Sequence, residues 1–450
     1  MNNKLLGKNI LFITAFVIFY SISLSIMAAE PDSLLINEDE TVRIDSIRLT
    51  GNVKTEEAII LREMTFIAGD TVTGRILRFN RERIYSLGLF NRVDFFVTQN
   101  DNLNILEIVL AESWYLYPLP YFKAHNNEFD KATYGVNFTY KNFRGKNETL
   151  RAMIGLGYEP VYAVTFDNPS FSFENNIGLS ITALYLRFNN KSTRAVNLVG
   201  EDFRYKIFSQ SVSLSKRFNT FNIALLTLGF SYYENNHSIR GITASGGRID
   251  RMPSLGISYQ YDSRDLKQYS KNGLYAFLNI NHKGFGINKA AYNNLEFDFR
   301  EYRSIIDPLS GKWRVALRTS FGNIIPFYDY SYLGYYEKIR GHFNEIREGK
   351  SYFLSSFELS FPIVRDWNFS LKLPLLPESL TSTRIGIYLT GFIDSGDAFG
   401  DNKSFSINNF YSGYGFGITI LFLPFNAIRF EYAFNESGRG ELIIGTGFSF

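Results

Sequence analysis

The chain contains no cysteine among its 450 residues, and only 4 histidines, 12 prolines and 3 tryptophans. The lack of cysteine excludes disulfides and thiolate metal sites, and it suits an exported protein that avoids stray disulfides. After the first 30 residues, no run approaches the roughly 20 apolar residues that a membrane helix requires. If the mature chain crosses a membrane, it therefore has to do so with strands.

The chain also lacks a large excess of positive or negative charge, and it lacks the common enzyme motifs. The 47 basic and 44 acidic side chains nearly cancel, which gives no indication of a nucleic-acid partner. There is no G-x-S-x-G elbow, no H-E-x-x-H and no P-loop. The four histidines are widely scattered: His125, His237, His282 and His342. These absences predict a protein that is not an enzyme and has no catalytic residue, metal or cofactor.

The first 29 residues carry a targeting pattern. Lys4 and Lys8 precede an apolar stretch over 10–27, and two alanines follow at 28–29. This order predicts a secretory signal peptide over residues 1–29. The alternative is an uncleaved anchor helix, but the hydroxyl side chains within the stretch weaken it as a permanent membrane span.

Aromatic residues are abundant, with 29 Tyr and 43 Phe, and many of them alternate with small or polar residues. Near the end of the chain, Tyr414 and Phe416 enclose Gly415, and a period of two predicts strands with one apolar and one polar face. Charges at alternate positions, such as Glu296 and Asp298, are tolerated only where water reaches them. Residues 113–450 therefore predict a sixteen-stranded antiparallel transmembrane β-barrel with a hydrated lumen, rather than a soluble sandwich with a dry core.

Residues 42–112 have a different pattern of apolar and polar residues from the rest of the chain, and this pattern is typical of a small α+β domain. Apolar alternation over 42–49 predicts a first strand, and Thr55 is placed to open a helix. A second helix is predicted from about 73 to 87, with Arg83 on its solvated face. Two strands over 92–98 and 103–110 complete the order strand, helix, helix, strand, strand.

A long connection over 321–350 separates the eleventh and twelfth predicted barrel strands. Loops of this length are usually functional or disordered. This one contains four consecutive residues that form a motif: Ile339, Arg340, Gly341 and His342. Glycine at the third place gives the backbone the freedom that a sharp loop tip requires.

Two acidic residues on the following strands are predicted to face the lumen. Phe357 and its apolar neighbours two residues apart share one face of strand twelve, so Glu358 lies on the other. On strand thirteen, Phe392 and Asp394 share the face opposite Ile393. An arginine can bind such carboxylates through two parallel hydrogen bonds, whereas an exposed arginine in a surface turn would contribute little.

These motifs resemble those of the Omp85 superfamily, whose sixth extracellular loop folds into the lumen and carries a Val/Ile-Arg-Gly-Phe/Tyr/His tetrapeptide. The resemblance implies that Arg340 reaches Glu358 and Asp394 on the inner wall, beside Phe392. The domain at 42–112 resembles a POTRA domain, which precedes the barrel in this family and lies in the periplasm. About one such domain is present, against about five in the central insertase, which favours an accessory or specialised member.

The turn that contains Asp262, Arg264 and Asp265 invites two interpretations. Two carboxylates three residues apart could belong to a metal or acid/base site, but no further ligand accompanies them at a suitable spacing. An ion network at the end of a hairpin accounts for them better.

A seam between the first and last strands is the other mechanistic prediction. Pro118 and Pro120 lie two residues apart, so both remove amide donors from one strand edge. If the odd-numbered residues pair with strand two, that edge faces strand sixteen, which includes Phe450. Closure would then lack about two hydrogen bonds, each worth ~1 kcal/mol, which suggests a lateral gate. The alternative is an extended linker between the two domains.

The family resemblance implies insertion, assembly or translocation of unfolded or extended polypeptide clients by strand addition, without nucleotide consumption. The expected location is the outer membrane, with the small domain in the periplasm. Partners would be the lipid bilayer of the outer membrane, the clients, and periplasmic chaperones or accessory lipoproteins. Two alternatives stay open: a transporter of the two-partner secretion type, and a passive pore or structural barrel without a client.

Overall fold

The computed structural model of the chain describes residues 36–125, 128–335, 337–373, 376–401 and 403–450. The predicted signal peptide, 1–29, lies outside these residues. They form a small α+β domain followed by a sixteen-stranded antiparallel sheet, which confirms the predicted fold class. Within the described residues, every helix is too short or too polar to span a membrane.

The small domain contains five strands and two helices. In chain order they are β1 (Thr41–Arg43), β2 (Ser46–Thr50), α1 (Glu57–Leu61), β3 (Thr71–Thr73), α2 (Gly74–Tyr85), β4 (Phe90–Asn100) and β5 (Leu103–Glu112). The main sheet has the order β2-β5-β4, with β2 parallel to β5 and β4 antiparallel to it. Strands β1 and β3 pair with each other in a separate ribbon.

Two of the predicted boundaries in this domain are wrong. The first strand is interrupted because the chain changes sheets: the Ile44 amide donates to Asp70 O at 3.0 Å and the Asp45 amide to Asn104 O at 2.9 Å. Thr55 does not open α1, because its hydroxyl binds the Glu112 carboxylate at 2.6 Å. The helix starts at Glu57 and is only 5 residues long.

Helix α2 begins where Thr73 accepts a hydrogen bond from the Ile76 amide, the arrangement of an N-cap. Its apolar face buries Leu77 and Ile84. Arg83, which was predicted to be solvated, is only 2% exposed. The sequence pattern identifies a polar helix face, but it cannot show that this face packs against a second domain.

The large sheet is built from consecutive antiparallel neighbours, in the order β6 to β16 and then β19 to β23. Its first eleven strands are β6 (Leu116–His125), β7 (Glu128–Phe143), β8 (Glu148–Gly157), β9 (Val161–Ser172), β10 (Ile177–Asn189), β11 (Arg204–Arg217), β12 (Asn222–Glu234), β13 (Ile249–Asp262), β14 (Gly273–Lys283), β15 (Tyr292–Ile306) and β16 (Leu309–Gly322). A helix, α3 (Thr193–Val199), lies in the loop between β10 and β11.

Two short strands interrupt this order within the long loop, 321–350. They are β17 (Ser331–Leu333) and β18 (Arg347–Gly349), which pair only with each other. The sheet continues with β19 (Ser351–Ser370), a short helix α4 (Glu378–Thr381), β20 (Ser382–Phe399), β21 (Tyr411–Leu423), β22 (Asn426–Asn435) and β23 (Gly440–Thr446). Strand β16 pairs directly with β19, from Ser310 with Ser360 to Thr319 with Ser351.

The predicted alternation of faces is present along the sheet. On β20, Ile393 is 50% exposed on the outer face, whereas its neighbours Phe392 and Asp394 are 5% and 2% exposed on the inner face. The inner face carries ion pairs between strands, such as Arg314 with Asp298 at 2.8 Å. The sheet therefore has an apolar exterior and a polar lumen, as a transmembrane barrel requires.

The core of the small domain continues into the sheet. Ile84, Phe90 and Ile108 belong to the same buried cluster as Tyr388 and Leu421 of the sheet. The small domain thus packs against the end of the sheet at which the short hairpins lie, and the long loop enters from the opposite end.

Candidate functional site in the lumen and at the seam

The long loop folds back onto the inner wall of the sheet. Ile339 is buried with Leu333 of the loop and with Ala316 and Leu354 of the wall. This apolar contact, together with the β17–β18 ribbon, fixes the position of the residue that follows, Arg340.

Arg340 is buried among three carboxylates. Its Nε and Nη2 donate to the two oxygens of Asp394 at 2.7 and 2.8 Å, and its backbone amide donates to the same group at 3.1 Å. Nη1 donates to Glu358 and to Glu431, each at 3.0 Å. The guanidinium lies 3.7 Å from the centre of the Phe392 ring, in the range of a cation–π contact. The loop is thereby joined to β19, β20 and β22.

The buried charges around Arg340 balance. Lys312 Nζ lies 2.8 Å from Glu358, and Arg429 Nη1 lies 3.3 Å from Glu431. With Arg340, these cations match the three carboxylates. A buried charge is costly unless an opposite charge lies beside it. Every charge of this cluster has such a partner, although Glu431 Oε2 and Arg429 Nε make no hydrogen bond within the described part of the chain.

Two glycines allow the loop tip to approach the wall. Gly341 has φ of +97°, and a Cβ there would lie 2.7 Å from Phe434 O. On β21, a Cβ at Gly413 would lie 1.6 Å from Arg340 O. A side chain at Gly413 would therefore collide with the loop backbone.

The loop tip also holds the last hairpin of the sheet. The amides of Gly341 and Phe343 donate to the Glu441 carboxylate on β23 at 2.8 and 3.0 Å. His342 Nε2 lies 2.7 Å from Glu436, in the turn between β22 and β23. The motif at 339–342 thus contacts the final strand as well as the opposite wall.

Six residues of this site were not singled out from the sequence: Lys312, Gly413, Arg429, Glu431, Glu436 and Glu441. Glu431 and Glu441 alternate with apolar residues as Glu358 does, but nothing in the sequence connects their strands to the loop. Gly413 belongs to a run of glycines at alternate positions with Gly415 and Gly417, and the alternation around Gly415 predicted only a polar strand face. The run was the available signal, because successive small residues on a polar face leave room for another chain segment.

At the seam, β6 and β23 are the two ends of the hydrogen-bonded order, and no ladder joins them in the described part of the chain. Strand β6 pairs with β7 in continuous register from Leu116 to Ala124. Proline has no N–H to donate, yet the pairing with β7 is continuous through Pro118 and Pro120. Their backbone nitrogens therefore lie on the edge of β6 that faces away from β7. The Tyr117 ring, 6.0 Å from that of Phe425, brings β6 near the last hairpins.

Phe450 is not placed at the seam, where it was expected. Strand β23 ends at Thr446, and Gly447 has φ of +93°, which turns the chain. The Phe450 ring then lies 4.9 Å from Lys312 Nζ on the lumen wall, and Ser449 donates to Glu358 at 3.3 Å. The expected alternation stops because the backbone leaves the strand conformation at a glycine.

Comparison with known proteins identifies the family. The model of the Omp85 superfamily domain matches residues 142–450, which is more than half of the chain. The chain belongs to the Omp85 superfamily. A second model, described as "Surface antigen variable number repeat" and named POTRA, matches residues 42–112.

Two solved structures share the fold. The chain is similar to BamA from Haemophilus ducreyi lacking POTRA domains 1–3, with a TM-score of 0.53 and 14% identity over 90% of this chain and 84% of that one. It is similar to CdiB from Escherichia coli, with a TM-score of 0.54 and 12% identity over 91% of this chain and 75% of that one.

One curated relative was also found. "Probable outer membrane protein pmp12" of Chlamydia pneumoniae is 36% identical over 91 residues, which are 20% of this chain and 17% of the relative. The chain thus matches less than a fifth of that relative's length.

In the Omp85 barrel, Asp262 and Arg264 form a bidentate pair, with distances of 2.8 and 3.0 Å. Asp265 accepts from the amides of Leu266 and Lys271 at 2.8 and 3.0 Å. Among the described residues, no group of three His, Asp or Glu side chains is arranged to hold a metal ion. The geometry is that of a network that shapes the turn after β13.

That turn and its neighbours hold the POTRA domain. Glu82 on α2 accepts two hydrogen bonds from Arg384 on β20, at 3.0 and 2.7 Å. Arg83 donates to Asp262 O at 3.1 Å and to Thr220 O at 2.9 Å. Burial would raise the pKa of Glu82, but Arg384 outweighs it and lowers the pKa to about 2. The POTRA domain is therefore docked through buried ionic contacts.

Proposed function

We propose that this Omp85 protein inserts or translocates polypeptides at an outer membrane, with its POTRA domain in the periplasm and no covalent chemistry. The observation that carries the proposal is the seam, where β6 and β23 each have an edge without a partner strand in the described chain. An extended client segment can pair with such an edge by strand addition.

Strand addition is favoured because the hydrocarbon of the bilayer cannot form hydrogen bonds with the client's backbone. Unpaired backbone amides and carbonyls cost several kcal/mol in hydrocarbon, so a lone client strand does not enter a bilayer readily. A free edge supplies those partners during entry. On the β6 side, Pro118 and Pro120 supply no donors, so this edge binds its neighbour less tightly than an ordinary strand would.

The lumen cluster supports the same proposal. Through Glu441 and Glu436, the motif at 339–342 contacts β23 and its turn. We propose that the long loop holds β23 in position while its other edge is free. Loss of Arg340 would then loosen the seam as well as the lumen.

The alternatives predict a different route. A secretion-type transporter or a passive pore would use the lumen, where the long loop lies against the wall and the POTRA domain packs at one end. These contacts favour the seam as the client's route. A passive pore would also show steady conductance and no crosslinks to unfolded chains.

Crosslinking across the seam tests the proposal. The chain has no cysteine, so a cysteine at Leu119 can be combined with cysteines scanned along Leu442, Ile444 and Thr446 without background. Joining such a pair with a short crosslinker should stop client insertion, and cleaving the crosslink should restore it. The readout is the fraction of a radiolabelled barrel client that becomes resistant to protease in vesicles.

The matched control locks a pair of strands that are already joined. Ser213 on β11 and Thr227 on β12 are cross-strand partners with their hydroxyl oxygens 2.8 Å apart. A crosslink there should leave insertion unchanged. Insertion that continues at the normal rate through a locked seam would exclude the seam as the route.

A further inference from the structure

A cavity of about 460 Å³ opens between helix α1 of the POTRA domain and two barrel hairpins. Its wall includes three apolar side chains, Leu61, Phe173 and Phe218, and two guanidinium groups, Arg62 and Arg217. The apolar members are solvent-accessible, with Phe218 61% and Phe173 45% exposed. The cavity therefore combines an apolar rim with cationic donors.

Positive charge exceeds negative charge at this cavity. Arg217 Nη1 and Arg83 Nη2 both bind Glu63, at 2.6 and 3.2 Å. Arg62 instead donates to neutral oxygens, those of Pro169 at 3.5 Å and of the Ser170 hydroxyl. Two guanidiniums thus share the Glu63 carboxylate, and Arg62 adds a third positive charge without a hydrogen bond to it.

The titration of these groups agrees with that excess. Burial lowers the pKa of Arg62, and the neighbouring charge of Arg217 lowers it further. Burial would raise the pKa of Glu63, but Lys267 and Arg217 outweigh it and lower the pKa to about 2. Each cation here would be stabilised by a further anion.

The cavity lies where the outer face of the barrel meets the periplasmic side. On β11, Phe208, Val212 and Leu214 are exposed on the outer face, and Lys216 and Phe218 continue the same face towards the cavity. Apolar residues followed by a lysine and an aromatic residue mark the passage from acyl chains to headgroups. The lipid-facing surface is therefore continuous with the cavity.

We infer that this cavity binds the anionic headgroup of a phospholipid in the periplasmic leaflet. The phosphate would be held by Arg62, whose guanidinium suits bidentate phosphate binding and donates only to neutral oxygens, and by Lys216, whose Nζ binds Asn175 O next to the cavity. Arg217 already donates to Glu63 and to backbone oxygens, so it contributes positive charge rather than a free pair of donors. The acyl chains would lie on Leu214 and Phe218. A free phosphate shares the headgroup chemistry, but the exposed apolar rim fits only a ligand with a lipid tail. The bound lipid would join the POTRA domain to the membrane surface beside the barrel.

This site goes beyond the proposed transport function and requires only that the barrel cross a membrane. The test uses the full protein, purified in mild detergent with equal amounts of phosphatidylglycerol and phosphatidylethanolamine, and counts retained lipids by native mass spectrometry. The wild type should retain phosphatidylglycerol preferentially. Arg62→Gln and Lys216→Gln should each lower that preference about fivefold, the usual effect of one cation near an anionic surface.

Arg303→Gln is the matched control, since Arg303 is a periplasmic-side arginine whose side chain is 75% exposed at the end of β15. It should leave the preference unchanged. Equal retention of the two lipids, or an equal loss in Arg303→Gln, would overturn the inference. Release of the lipid by excess inorganic phosphate would also overturn it, because the cavity would then be a site for free anions. Client insertion is measured separately, so failure here would leave the transport proposal standing.

Discussion

At the scale of single residues, the lumen cluster is defined by one cation. Arg340 makes hydrogen bonds to Asp394, Glu358 and Glu431, and it is the member of the cluster that comes from the long loop. The carboxylates come from the wall and are held by Lys312 and Arg429 as well. Removing the cation would leave buried negative charge in excess, which is costlier than the bonds alone suggest.

Arg340→Ala should therefore lower the free energy of unfolding of the barrel by about 3–5 kcal/mol, the usual effect of removing one partner of a buried ion pair. The measurement is the temperature at which the folded barrel unfolds in detergent, followed by its electrophoretic shift. Unchanged thermal resistance together with unchanged client insertion would contradict a locking role for the loop.

A glycine pair tests the same contact without changing a charge. Gly413→Ala would place a Cβ 1.6 Å from Arg340 O and should displace the loop tip. Gly391→Ala is the matched control, since a Cβ there would meet only Gly415 O at 3.9 Å. Gly413→Ala should unfold at a lower temperature than the wild type, and Gly391→Ala at nearly the same temperature.

At the scale of elements, strand β6 combines continuous pairing on one edge with missing donors on the other. The register with β7 extends through both prolines without a shift. Strand β23 has only 7 residues, and Gly447, which follows its last residue, turns the chain into the lumen. The seam is therefore short on one side and poor in donors on the other, whereas the other neighbouring strands of the sheet are joined by ladders.

Replacing both Pro118 and Pro120 with alanine should strengthen the seam, because two amide donors are restored at ~1 kcal/mol each. The expected results are more efficient crosslinking between cysteines on β6 and β23, and slower client insertion. Each single substitution should give about half of the effect if the two donors act independently. Faster insertion in the double variant would show that the prolines do not weaken the seam.

At the scale of the whole molecule, the POTRA domain and the barrel share one buried cluster and a set of ionic contacts. Glu82 binds Arg384 across the junction, and Glu63 binds Arg217. Both acids belong to the POTRA domain and both have a pKa of about 2, below the ordinary value of 4.5. Docking therefore favours their charged forms.

Acidification should weaken this docking. A carboxyl whose pKa is depressed in the docked state contributes its full stabilisation above its ordinary pKa and loses it as pH falls through the depressed value. Docking should be undiminished at pH 7 and should weaken progressively between about pH 4.5 and pH 2. The measurement is the distance between a spin label on the POTRA domain and one on a barrel hairpin.

Glu82→Gln provides the control for this pH dependence. Its amide cannot titrate, so docking should be weaker than in the wild type at pH 7 and should change less on acidification. A wild-type distance that stays constant down to pH 2 would show that the apolar contacts alone hold the two domains together.

The sequence by itself determined the fold class, the number of strands in the barrel and the face of strand residues such as Glu358, Ile393 and Asp394. These follow from local rules, since a period of two assigns faces, and charges such as Glu358 must be hydrated or paired. It also indicated Arg340 and two of its partners, through the loop motif and its family resemblance.

Only the tertiary structure decided which surfaces meet. Glu431 and Glu441 are distant in sequence from the long loop, and Arg83 lies on a polar helix face that the barrel covers. Phe450 leaves its strand at Gly447 and binds Lys312 in the lumen. The physical reason is that alternation fixes the direction of a side chain, whereas its partner depends on how the sheet curls and which segments fill the enclosed space.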